Sequence, residues 1–548
     1  MPTLSSYKTD VAPVDVAVIG AGINGLAVAR EAARRGLSVA LIDQDDIGAR
    51  TSAISTRLIH GGLKYLERLE INLVHESIRE RNILLKRAPH LVHHYPMLIP
   101  FGGGQSRPGW LLACGLLLHD VLSVGKKLPF NRIVFGKRMR RDWPEVAEGG
   151  VRWGGLFHDA HVPLTERLTV ELAVDAQNHG ATLLTHSRVE SLITENDRVA
   201  GVVYRDRTDG ALKPLHARIV VNAAGPWVDE VLSLSGTHSR KMGPTKGSHL
   251  IVDAFDGAPT TCIFFESPRD TRPMFVLPWN GRFMIGTTDI PYDGSLEEII
   301  IDEDETRYLL DAVNKLIPRA KLTPEDVLWS YSGVRPLPFV GDLDDPSKVS
   351  RDHEIIVHKG ASAGLVTLIG GKWTTHRALG AIVVRKIAGL LGQKLAPSGT
   401  KSAHLPGAPG SDWSEYRQSF IDASTLPVDI ATRLVDVYGV AAENIVQLAS
   451  EHEELAEVVD SETQAIAAEA VHAVRHEGAF TLEDVLLRRM VVALNSDVGL
   501  AAAPIVANVL VAHAGWTPER AEQELAQYRQ SVRRFTPRAL DVPRFASE

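Results

Sequence analysis

Hydrophobic residues near the start of the chain form a short continuous run that leads directly into glycines. The run extends from Val14 to Ile19, and an Ala-rich pattern with helical spacing follows from Leu26 to Arg35. A second apolar run covers Ser38 to Ile42. Two short apolar runs on either side of a helical pattern predict a βαβ unit with a buried parallel sheet.

Further strand-like runs recur through the middle of the chain. Helical patterns at Pro163 to His179 and Glu303 to Leu316 separate them, so this part is predicted to be mixed α/β. The predicted strands are Val151 to Phe157, Thr182 to Leu184, Val199 to Tyr204, Arg218 to Asn222, Leu250 to Val252, Phe275 to Leu277 and Phe283 to Gly286.

The pattern changes near residue 396. Residues 396–412 are rich in Pro, Gly and Ser, which is typical of a linker, and helical periodicity dominates from Ile430 to Tyr528. We therefore predict an α/β part over residues 1–395 and a helical domain over residues 413–548.

One stretch of the helical part has the length of a membrane span. Val498 to Pro518 carries no charge, but it contains Pro504, Asn508, His513 and Gly515. These residues favour a buried helix followed by a turn, so no integral membrane segment is predicted.

Three glycines between the first strand and the first helix have the spacing of a dinucleotide-binding turn. Gly20 allows the tight turn, Gly22 lets the backbone approach a pyrophosphate, and Gly25 lets the helix pack close to the strand. Asp43 ends the second strand, at the offset where a carboxylate accepts a hydrogen bond from an adenosine ribose. The motif predicts a dinucleotide cofactor and does not distinguish FAD from NAD.

The composition is typical of a globular protein with more than one domain. The chain has 548 residues, of which 44% are hydrophobic and 23% charged. Its net charge of -8 argues against a general nucleic-acid-binding protein. Cys114 and Cys262 are too few for a disulfide framework or a metal cluster, and residues 1–13 lack the pattern of a signal peptide. We expect a cytoplasmic protein with no metal site.

Several motifs, in one order along the chain, resemble those of FAD-dependent glycerol-3-phosphate dehydrogenases. Together they extend over almost the whole chain, and their fixed order is more specific than any single motif. The motifs are Thr51 to Glu67 (TSAISTRLIHGGLKYLE), Lys246 to His249 (KGSH), Ile285 to Asp289 (IGTTD), Tyr331 to Pro336 (YSGVRP), Gly370 to Thr375 (GGKWTT) and, in the helical tail, Thr481 to Leu486 (TLEDVL).

The resemblance implies a mixed α/β (α+β) fold. A glutathione-reductase-like, FAD-binding Rossmann domain would be interleaved with a sheet-based substrate domain and followed by an all-α C-terminal domain. The implied reaction is oxidation of sn-glycerol 3-phosphate to dihydroxyacetone phosphate by hydride transfer to FAD, with electrons passed to a membrane quinone. The resemblance further implies a homodimer and peripheral association with the inner face of the cytoplasmic membrane.

This reaction needs cations for the phosphate and a base for the C2 hydroxyl proton. Arg335 and Arg351 are the predicted phosphate ligands, because a guanidinium can donate two hydrogen bonds to phosphate oxygens. His60 is the first candidate base, since an imidazole titrates near neutrality, and His249 competes with it. Lys372 is predicted to stabilise the developing alkoxide or the anionic reduced flavin.

The remaining predicted site residues follow from the same motifs. Lys64 stands where the family's Gly-Gly-Leu-Arg-Tyr pattern has arginine. The positive charge is kept, but the forked guanidinium that can donate two hydrogen bonds to one phosphate is lost. Arg57 could offset this change. Predicted substrate contacts are Lys64, Tyr65, Arg335, Arg351 and Thr375, and predicted cofactor contacts are Gly20, Gly22, Asn24, Gly25, Asp43, Ser52, Gly61, Gly62, Ala224, Gly225, Gly371, Lys372 and Thr374.

An apolar stretch followed by cations predicts contact with a membrane surface. The stretch from Trp110 to Leu122 is rich in leucine, and the residues between Lys126 and Arg141 include several cations and no acid. This order suits insertion at headgroup depth beside anionic lipid. A buried helix followed by a solvated basic loop is the alternative interpretation.

Other functions on the same scaffold stay open at this point. The protein could be an oxidase that passes electrons to oxygen, an amine or amino-acid oxidase, or a non-catalytic flavin redox sensor. An NAD-dependent dehydrogenase is disfavoured, because the sequence has no second complete GxGxxG motif. Covalent and non-covalent flavin attachment are both compatible with the sequence.

Overall fold

The computed structural model describes residues 11–62, 70–102, 108–123, 128–340 and 353–540. The strands are β1 Val14–Ile19, β2 Val39–Ile42, β3 Leu58–Ile59, β4 His93–Phe101, β5 Arg132–Phe135, β6 Trp153–His161, β7 Thr182–Leu184, β8 Arg188–Glu195, β9 Arg198–Arg205, β10 Leu212–Asn222, β11 Thr245–Val252, β12 Cys262–Glu266, β13 Pro273–Trp279, β14 Arg282–Gly286, β15 Ile290–Pro291, β16 Val327–Arg335, β17 Glu354–Val357, β18 Leu365–Ile369, β19 Val458–Asp460 and β20 Ala465–Ile466.

The α-helices lie between these strands and, in larger number, after them. They are α1 Ile23–Arg34, α2 Ile71–Arg87, α3 Gly109–Leu122, α4 Gly136–Asp142, α5 Pro144–Glu148, α6 Thr165–Asn178, α7 Val228–Ser233, α8 Glu303–Leu316, α9 His376–Leu391, α10 Trp413–Ala423, α11 Val428–Tyr438, α12 Ala442–Glu451, α13 Ala467–Glu477, α14 Ala502–His513 and α15 Pro518–Ser531, with a π-helical segment at Asp484–Arg489.

The first sheet has a parallel centre in the order β18-β10-β1-β2-β7. Its central strand β1 pairs with β2 through Val16 and Val39 and with β10 through Ile19 and Asn222. These strands are almost continuously apolar, because both faces of the sheet are buried: α1, α6 and α9 cover one face, and β8, β9 and α7 cover the other. The antiparallel strands β17, β9 and β8 extend the sheet beyond this centre.

The second sheet is mostly antiparallel and contains strands β3 to β6 and β11 to β16. In it, β11 pairs with both β14 and β16, so that His249 lies opposite Gly286 on one side and Tyr331 on the other. Strands of the two sheets alternate along the chain, which is the interleaving that the sequence resemblance implies. The second sheet therefore brings the KGSH, IGTTD and YSGVRP motifs side by side.

The helices α10 to α15, called the C-terminal helices below, pack on the second sheet. Trp329 of β16 lies in the same hydrophobic cluster as Leu434 and Leu486, and its indole N–H donates to the Asn495 carbonyl at 2.9 Å. The chain between α9 and α10 contains no helix or strand. The exact domain boundaries at residues 395 and 413 stay a prediction.

The predicted strands are found, although β10 begins six residues and β11 five residues earlier than predicted. The strands β4, β8, β12, β16, β17 and β18 were not predicted. The strand predicted from Val151 to Phe157 runs instead from Trp153 to His161, because it pairs along the full length of β4. The short hairpin of β19 and β20 interrupts the helical part. The uncharged stretch near the end of the chain forms α14 with a largely buried face. Among the described residues, no helix combines the length and apolar character needed to cross a bilayer.

Candidate functional site

A cavity of about 230 Å³ opens where the parallel strands of the first sheet end. The carboxyl ends of such strands are where α/β proteins bind ligands. Its lining includes most of the residues predicted to bind the cofactor, together with Trp227, which the sequence analysis had not assigned to the site. The predicted cofactor residues in the lining are Gly20, Gly22, Asn24, Asp43, Ser52, Ala224, Gly225 and Gly371.

Two positions where β1 turns into α1 have room only for glycine. A Cβ atom on Gly25 would lie 1.8 Å from the Gly20 carbonyl oxygen, and one on Gly20 would lie 2.5 Å from the Ala223 carbonyl oxygen. Gly20 also has a φ of +106°, which other residues rarely adopt. Ser52 supports the start of the helix, since its hydroxyl accepts from the Ile23 N–H at 2.9 Å. Strand, turn and helix therefore meet as closely as the motif predicts.

Asp43 is held at the cavity wall by backbone donors. Its carboxylate accepts from the N–H of Ala21 at 2.5 Å and from the N–H of Asp45 at 2.8 Å. Burial and, next, the charge of Asp45 raise the pKa of Asp43 to about 6. The carboxylate is thus placed to accept a hydrogen bond, in a setting that favours protonation below neutral pH.

The GGKWTT motif, residues 370–375, reaches the same cavity from a distant part of the sequence. The Asn24 side-chain amide donates to the Gly370 carbonyl at 2.9 Å, and the Trp373 indole N–H donates to the Ser52 carbonyl at 2.9 Å. A Cβ atom on Gly371 would lie 2.5 Å from the Asn24 amide nitrogen. These contacts bring Lys372 next to the cavity-lining residues Gly371 and Trp373.

His249 lies buried between neighbouring strands of the second sheet. Its ring stacks on Tyr331 with the centroids 4.9 Å apart, and its Nε2 is 3.0 Å from the Thr56 hydroxyl. The Nδ1 atom is buried and has no hydrogen-bond partner among the described residues. Burial, then the charges of Arg335 and Arg57, lower the pKa of His249 to about 3. The imidazole is therefore neutral at pH 7.

Arg335 lies against the same pair of strands. Its guanidinium packs over Gly247, where a Cβ atom would be 2.3 Å from Nη2. It donates to the Thr287 hydroxyl at 2.9 Å and to the Asp289 carboxylate at 2.9 Å. Arg335 and His249 thus share one site, and Asp289 partly neutralises the arginine.

The loop that carries His60 is fixed by a buried ion pair. Asp159 accepts from the Gly61 N–H at 2.8 Å and from Arg81 at 2.8 Å, and both side chains are fully buried. His60 directly follows β3 and is half-buried. Gly62, next in the motif, has a φ of +78°. The ion pair therefore sets the direction of the motif's backbone as it leaves the sheet.

Some predicted substrate contacts cannot be located. Lys64, Tyr65 and Arg351 lie outside the described residues. Thr374 and Thr375, at the start of α9, are buried.

The structure does not support a compensating role for Arg57. Its side chain is 2% exposed and forms an ion pair with Glu166, at 2.6 Å and 2.7 Å for its two terminal nitrogens. It also stacks over Trp279, 4.6 Å from the ring centroid. A guanidinium committed in this way is not available to a substrate phosphate, so the suggestion that Arg57 offsets Lys64 is wrong.

Sequence reasoning missed the buried network beneath Arg335 and His249. Glu305 accepts from the hydroxyls of Ser248 at 2.9 Å and Thr288 at 2.6 Å, and it pairs with Lys246 at 2.6 Å. The sequence signal is the Asp302-x-x-Glu305 capping box at the start of α8, which marks the helix start. Only the fold shows that this cap faces the KGSH strand.

The chain resembles known proteins along almost its whole length. A family model described as FAD dependent oxidoreductase matches residues 15–377, and one described as the C-terminal domain of alpha-glycerophosphate oxidase matches residues 398–521. A glycerol-3-phosphate dehydrogenase from a Synechocystis species is 38% identical over 529 residues, 94% of this chain and 96% of the relative. A D-erythritol 1-phosphate dehydrogenase from Brucella abortus is 37% identical over 481 residues, 87% of this chain and 93% of the relative.

A solved structure is similar to this chain over nearly its whole length. The glycerol-3-phosphate dehydrogenase from Bacillus halodurans, solved in complex with FAD, matches with a TM-score of 0.77 and 25% sequence identity. The match covers 97% of this chain and 96% of that chain, so it includes the C-terminal helices as well as both sheets.

Proposed function

This chain belongs to the family of FAD-dependent glycerol-3-phosphate dehydrogenases, and from this premise we propose that it oxidises sn-glycerol 3-phosphate to dihydroxyacetone phosphate with a membrane quinone as electron acceptor. FAD is the cofactor and supplies the hydride acceptor when bound. The observation that carries the proposal is similarity to dehydrogenases of this substrate over both sheets and the C-terminal helices.

The lining of the cavity at the first sheet, called the FAD cavity below, supports this cofactor. Gly20 and Gly25 leave no space for side chains at the turn, and α1 begins at the cavity wall, where a helix N-terminus attracts a pyrophosphate. Asp43 would accept a hydrogen bond from the adenosine ribose. We assign cofactor binding to the lining residues named above and, from the motifs, to Gly61, Gly62, Lys372 and Thr374.

The second sheet would hold and orient the substrate. Arg335 has a guanidinium already aligned by Asp289 and Thr287, so it would bind the phosphate with little loss of side-chain entropy. From the motifs, Arg351, Lys64, Tyr65 and Thr375 are the further substrate contacts of the proposal.

Either His60 or His249 would remove the proton from the C2 hydroxyl. His249 is neutral, the form a base requires. Burial lowers its pKa most, and a phosphate dianion bound to Arg335 would offset the second cause, the positive charge of that arginine. Lys372 would stabilise the negative charge that develops on the substrate oxygen or the reduced flavin. The two histidines are distinguished by which substitution lowers kcat more.

Peripheral membrane binding is part of the same proposal. On α3 the side chains of Trp110, Leu117 and Val121 are 61–67% exposed, and Leu116 packs inward toward the second sheet. Exposed cations follow on and near α4, namely Arg132, Lys137, Arg138, Arg140 and Arg141. An exposed apolar face beside clustered cations suits the headgroup region of an anionic membrane, where a quinone is accessible. We place the protein, as a homodimer, at the inner face of the cytoplasmic membrane.

An anaerobic titration tests the substrate and the acceptor in turn. Addition of sn-glycerol 3-phosphate to the purified flavoprotein should bleach the flavin absorbance, and a quinone should restore it. D-erythritol 1-phosphate is the comparison substrate, because one relative is named for it. Bleaching by the erythritol phosphate alone would contradict the substrate assignment, and reoxidation by oxygen alone, with peroxide formed, would contradict the acceptor.

Sedimentation with anionic liposomes tests membrane binding. The fourfold variant Lys137→Ser, Arg138→Ser, Arg140→Ser and Arg141→Ser should bind less, since each cation near the surface contributes about 1 kcal/mol. A control with the same loss of charge on other exposed cations, Lys359→Ser, Arg385→Ser, Lys386→Ser and Lys394→Ser, should bind like the wild type. Equal binding by both variants would refute this surface.

A further inference from the structure

We propose that Arg488 and Arg489 of the C-terminal helical part are positioning residues for FAD, although both lie far along the chain from the dinucleotide motif. They hold Asp46, and through it the loop of residues 43–48 that forms one wall of the FAD cavity. The C-terminal part is then a component of the cofactor site as well as a cover for the second sheet.

The contact between the two arginines and Asp46 is fully buried. Arg489 donates to both carboxylate oxygens of Asp46, one of them at 2.9 Å, and Arg488 donates through Nε at 2.6 Å. All three side chains are no more than 2% exposed. A buried carboxylate with two guanidinium partners is a strong, directional contact, and removing the carboxylate leaves buried positive charge without this partner.

A second contact ties the same loop to the π-helical segment. Asp484 pairs with Arg488 at 2.6 Å and with His186 at 2.8 Å. The His186 backbone N–H donates to the Asp45 carbonyl at 2.8 Å, and the Ser187 N–H donates to the Asp43 carbonyl at 2.6 Å. The loop is therefore held through the Asp46 side chain by the π-helical segment, and through its backbone by residues 186–187, of which His186 is paired with Asp484.

The loop in turn places the ribose acceptor. The Asp45 backbone N–H donates a hydrogen bond to the Asp43 carboxylate. Asp43, Asp45 and Asp46 all line the FAD cavity. Asp46, His186 and Asp484 also cluster closely enough to suggest a cation site. Since Arg488 and Arg489 already neutralise both carboxylates, the cluster is better explained as a junction between the two parts of the chain.

The proposal concerns cofactor retention and does not depend on the substrate. Displacement of the loop would move Asp43 away from the adenosine ribose, so loss of the arginine contact should speed the dissociation of FAD. A merely structural contact would lower thermal stability without changing FAD dissociation. These two readouts separate the alternatives.

The test compares two matched substitutions in the holoenzyme. Asp46→Asn removes the charge at the loop. Glu477→Gln is the control, because the Glu477 side chain also forms a buried ion pair between the two parts of the chain, with Arg167 at 2.6 Å, and does not line the FAD cavity. The Glu477 carbonyl accepts from Arg489, and the substitution leaves that backbone contact in place. The dissociation rate of FAD is followed after dilution by the fluorescence of the released flavin, and thermal unfolding is recorded in excess FAD.

The expected result is about a tenfold faster release of FAD from Asp46→Asn and release within about twofold of wild type from Glu477→Gln. Both variants should lose thermal stability. Wild-type FAD release from Asp46→Asn, or equal acceleration in both variants, would overturn the proposal. If Asp46→Asn does not fold, the milder Arg488→Lys takes its place with the same two criteria.

Discussion

Asp43 shows how the surroundings of one residue set the pH range in which a cofactor can be held. Because its pKa is raised to about 6, the carboxylate loses its charge, and with it part of its strength as an acceptor, just below neutral pH. FAD binding should favour the ionised form, since in the proposed complex the ribose hydroxyl would donate to it.

The affinity for FAD should therefore fall as the pH drops from 7.5 to 5. A titration of apoprotein with FAD at several pH values measures this. Asp43→Asn should bind FAD more weakly at pH 7.5 and lose most of the pH dependence. An equally steep dependence in the variant would show that another group is responsible.

His186 should contribute to stability in a pH window of its own. Burial alone would lower its pKa, but Asp484 raises it to about 9 in the folded protein, above the ordinary value of 6.5. A raised pKa gives stability that is fully present below pH 6.5 and is lost as the pH rises through 9.

The wild type should thus lose about 2 kcal/mol more than His186→Gln between pH 6.5 and 9.5, after allowance for partial solvent screening. Chemical unfolding at both pH values measures the difference. Parallel loss in the two proteins would contradict the contribution of His186.

Without the resemblance, the residues themselves allowed predictions only where the constraint is local in sequence. A βαβ turn fixes the positions of Gly20, Gly25 and Asp43 within one unit of structure, and their roles at the cofactor stay a prediction. Asp159 contacts a residue 98 positions away, and Glu305 contacts one 57 positions away. No pattern near either residue encodes that contact, since each depends on how strands from distant parts of the chain are ordered.

At the scale of elements, the β1–α1 unit depends on one close approach. Gly25→Ala should force the helix away from the strand and abolish FAD retention, because its Cβ would overlap the Gly20 carbonyl. Gly389→Ala, in α9, is the matched control: its Cβ would meet open space, and alanine favours helix by about 1 kcal/mol. The flavin-to-protein absorbance ratio after purification reports the result, and a flavin-replete Gly25→Ala would contradict it.

The paired strands β11 and β16 form the element on which phosphate recognition would depend. Arg335→Lys keeps the charge but cannot donate simultaneously to Asp289, Thr287 and a phosphate, so KM for sn-glycerol 3-phosphate should rise about tenfold or more. Arg269→Lys, at an exposed pair with Asp311, should leave KM unchanged. Steady-state kinetics decide, and an unchanged KM in Arg335→Lys would remove this residue from the phosphate site.

At the scale of the whole molecule, the C-terminal helices and the second sheet share one hydrophobic core. Trp329, Leu434 and Leu486 belong to the same cluster, and buried ion pairs also join the C-terminal part to α6 and to the loop after β2. The periodicity of residues 430–528 predicted helices, and the composition of residues 396–412 predicted a linker. Neither pattern could predict that the buried faces of the helices pack against β16, because this contact depends on residues in both elements.

We expect the holoenzyme to unfold in one cooperative transition, since separating the two parts would expose this shared core. Differential scanning calorimetry measures this. Two well-resolved transitions, with FAD released in only one of them, would show that the parts unfold independently.

The strand β16 connects the C-terminal helices with the proposed substrate site, and this limits how two members of the family can be combined in a chimera. Alternate residues of β16 share a face, which carries Trp329 in the core beneath the tail, Tyr331 against His249, and Arg335 at the other end. If the C-terminal helices were replaced by those of a relative, they would pack against a Trp329 surface to which their sequence is not matched. A displacement of Trp329 would then shift β16 and, with it, Arg335. Since β16 pairs with β11 along its length, a functional chimera needs its crossover point before Thr245, so that β11, β16 and the C-terminal helices are inherited together.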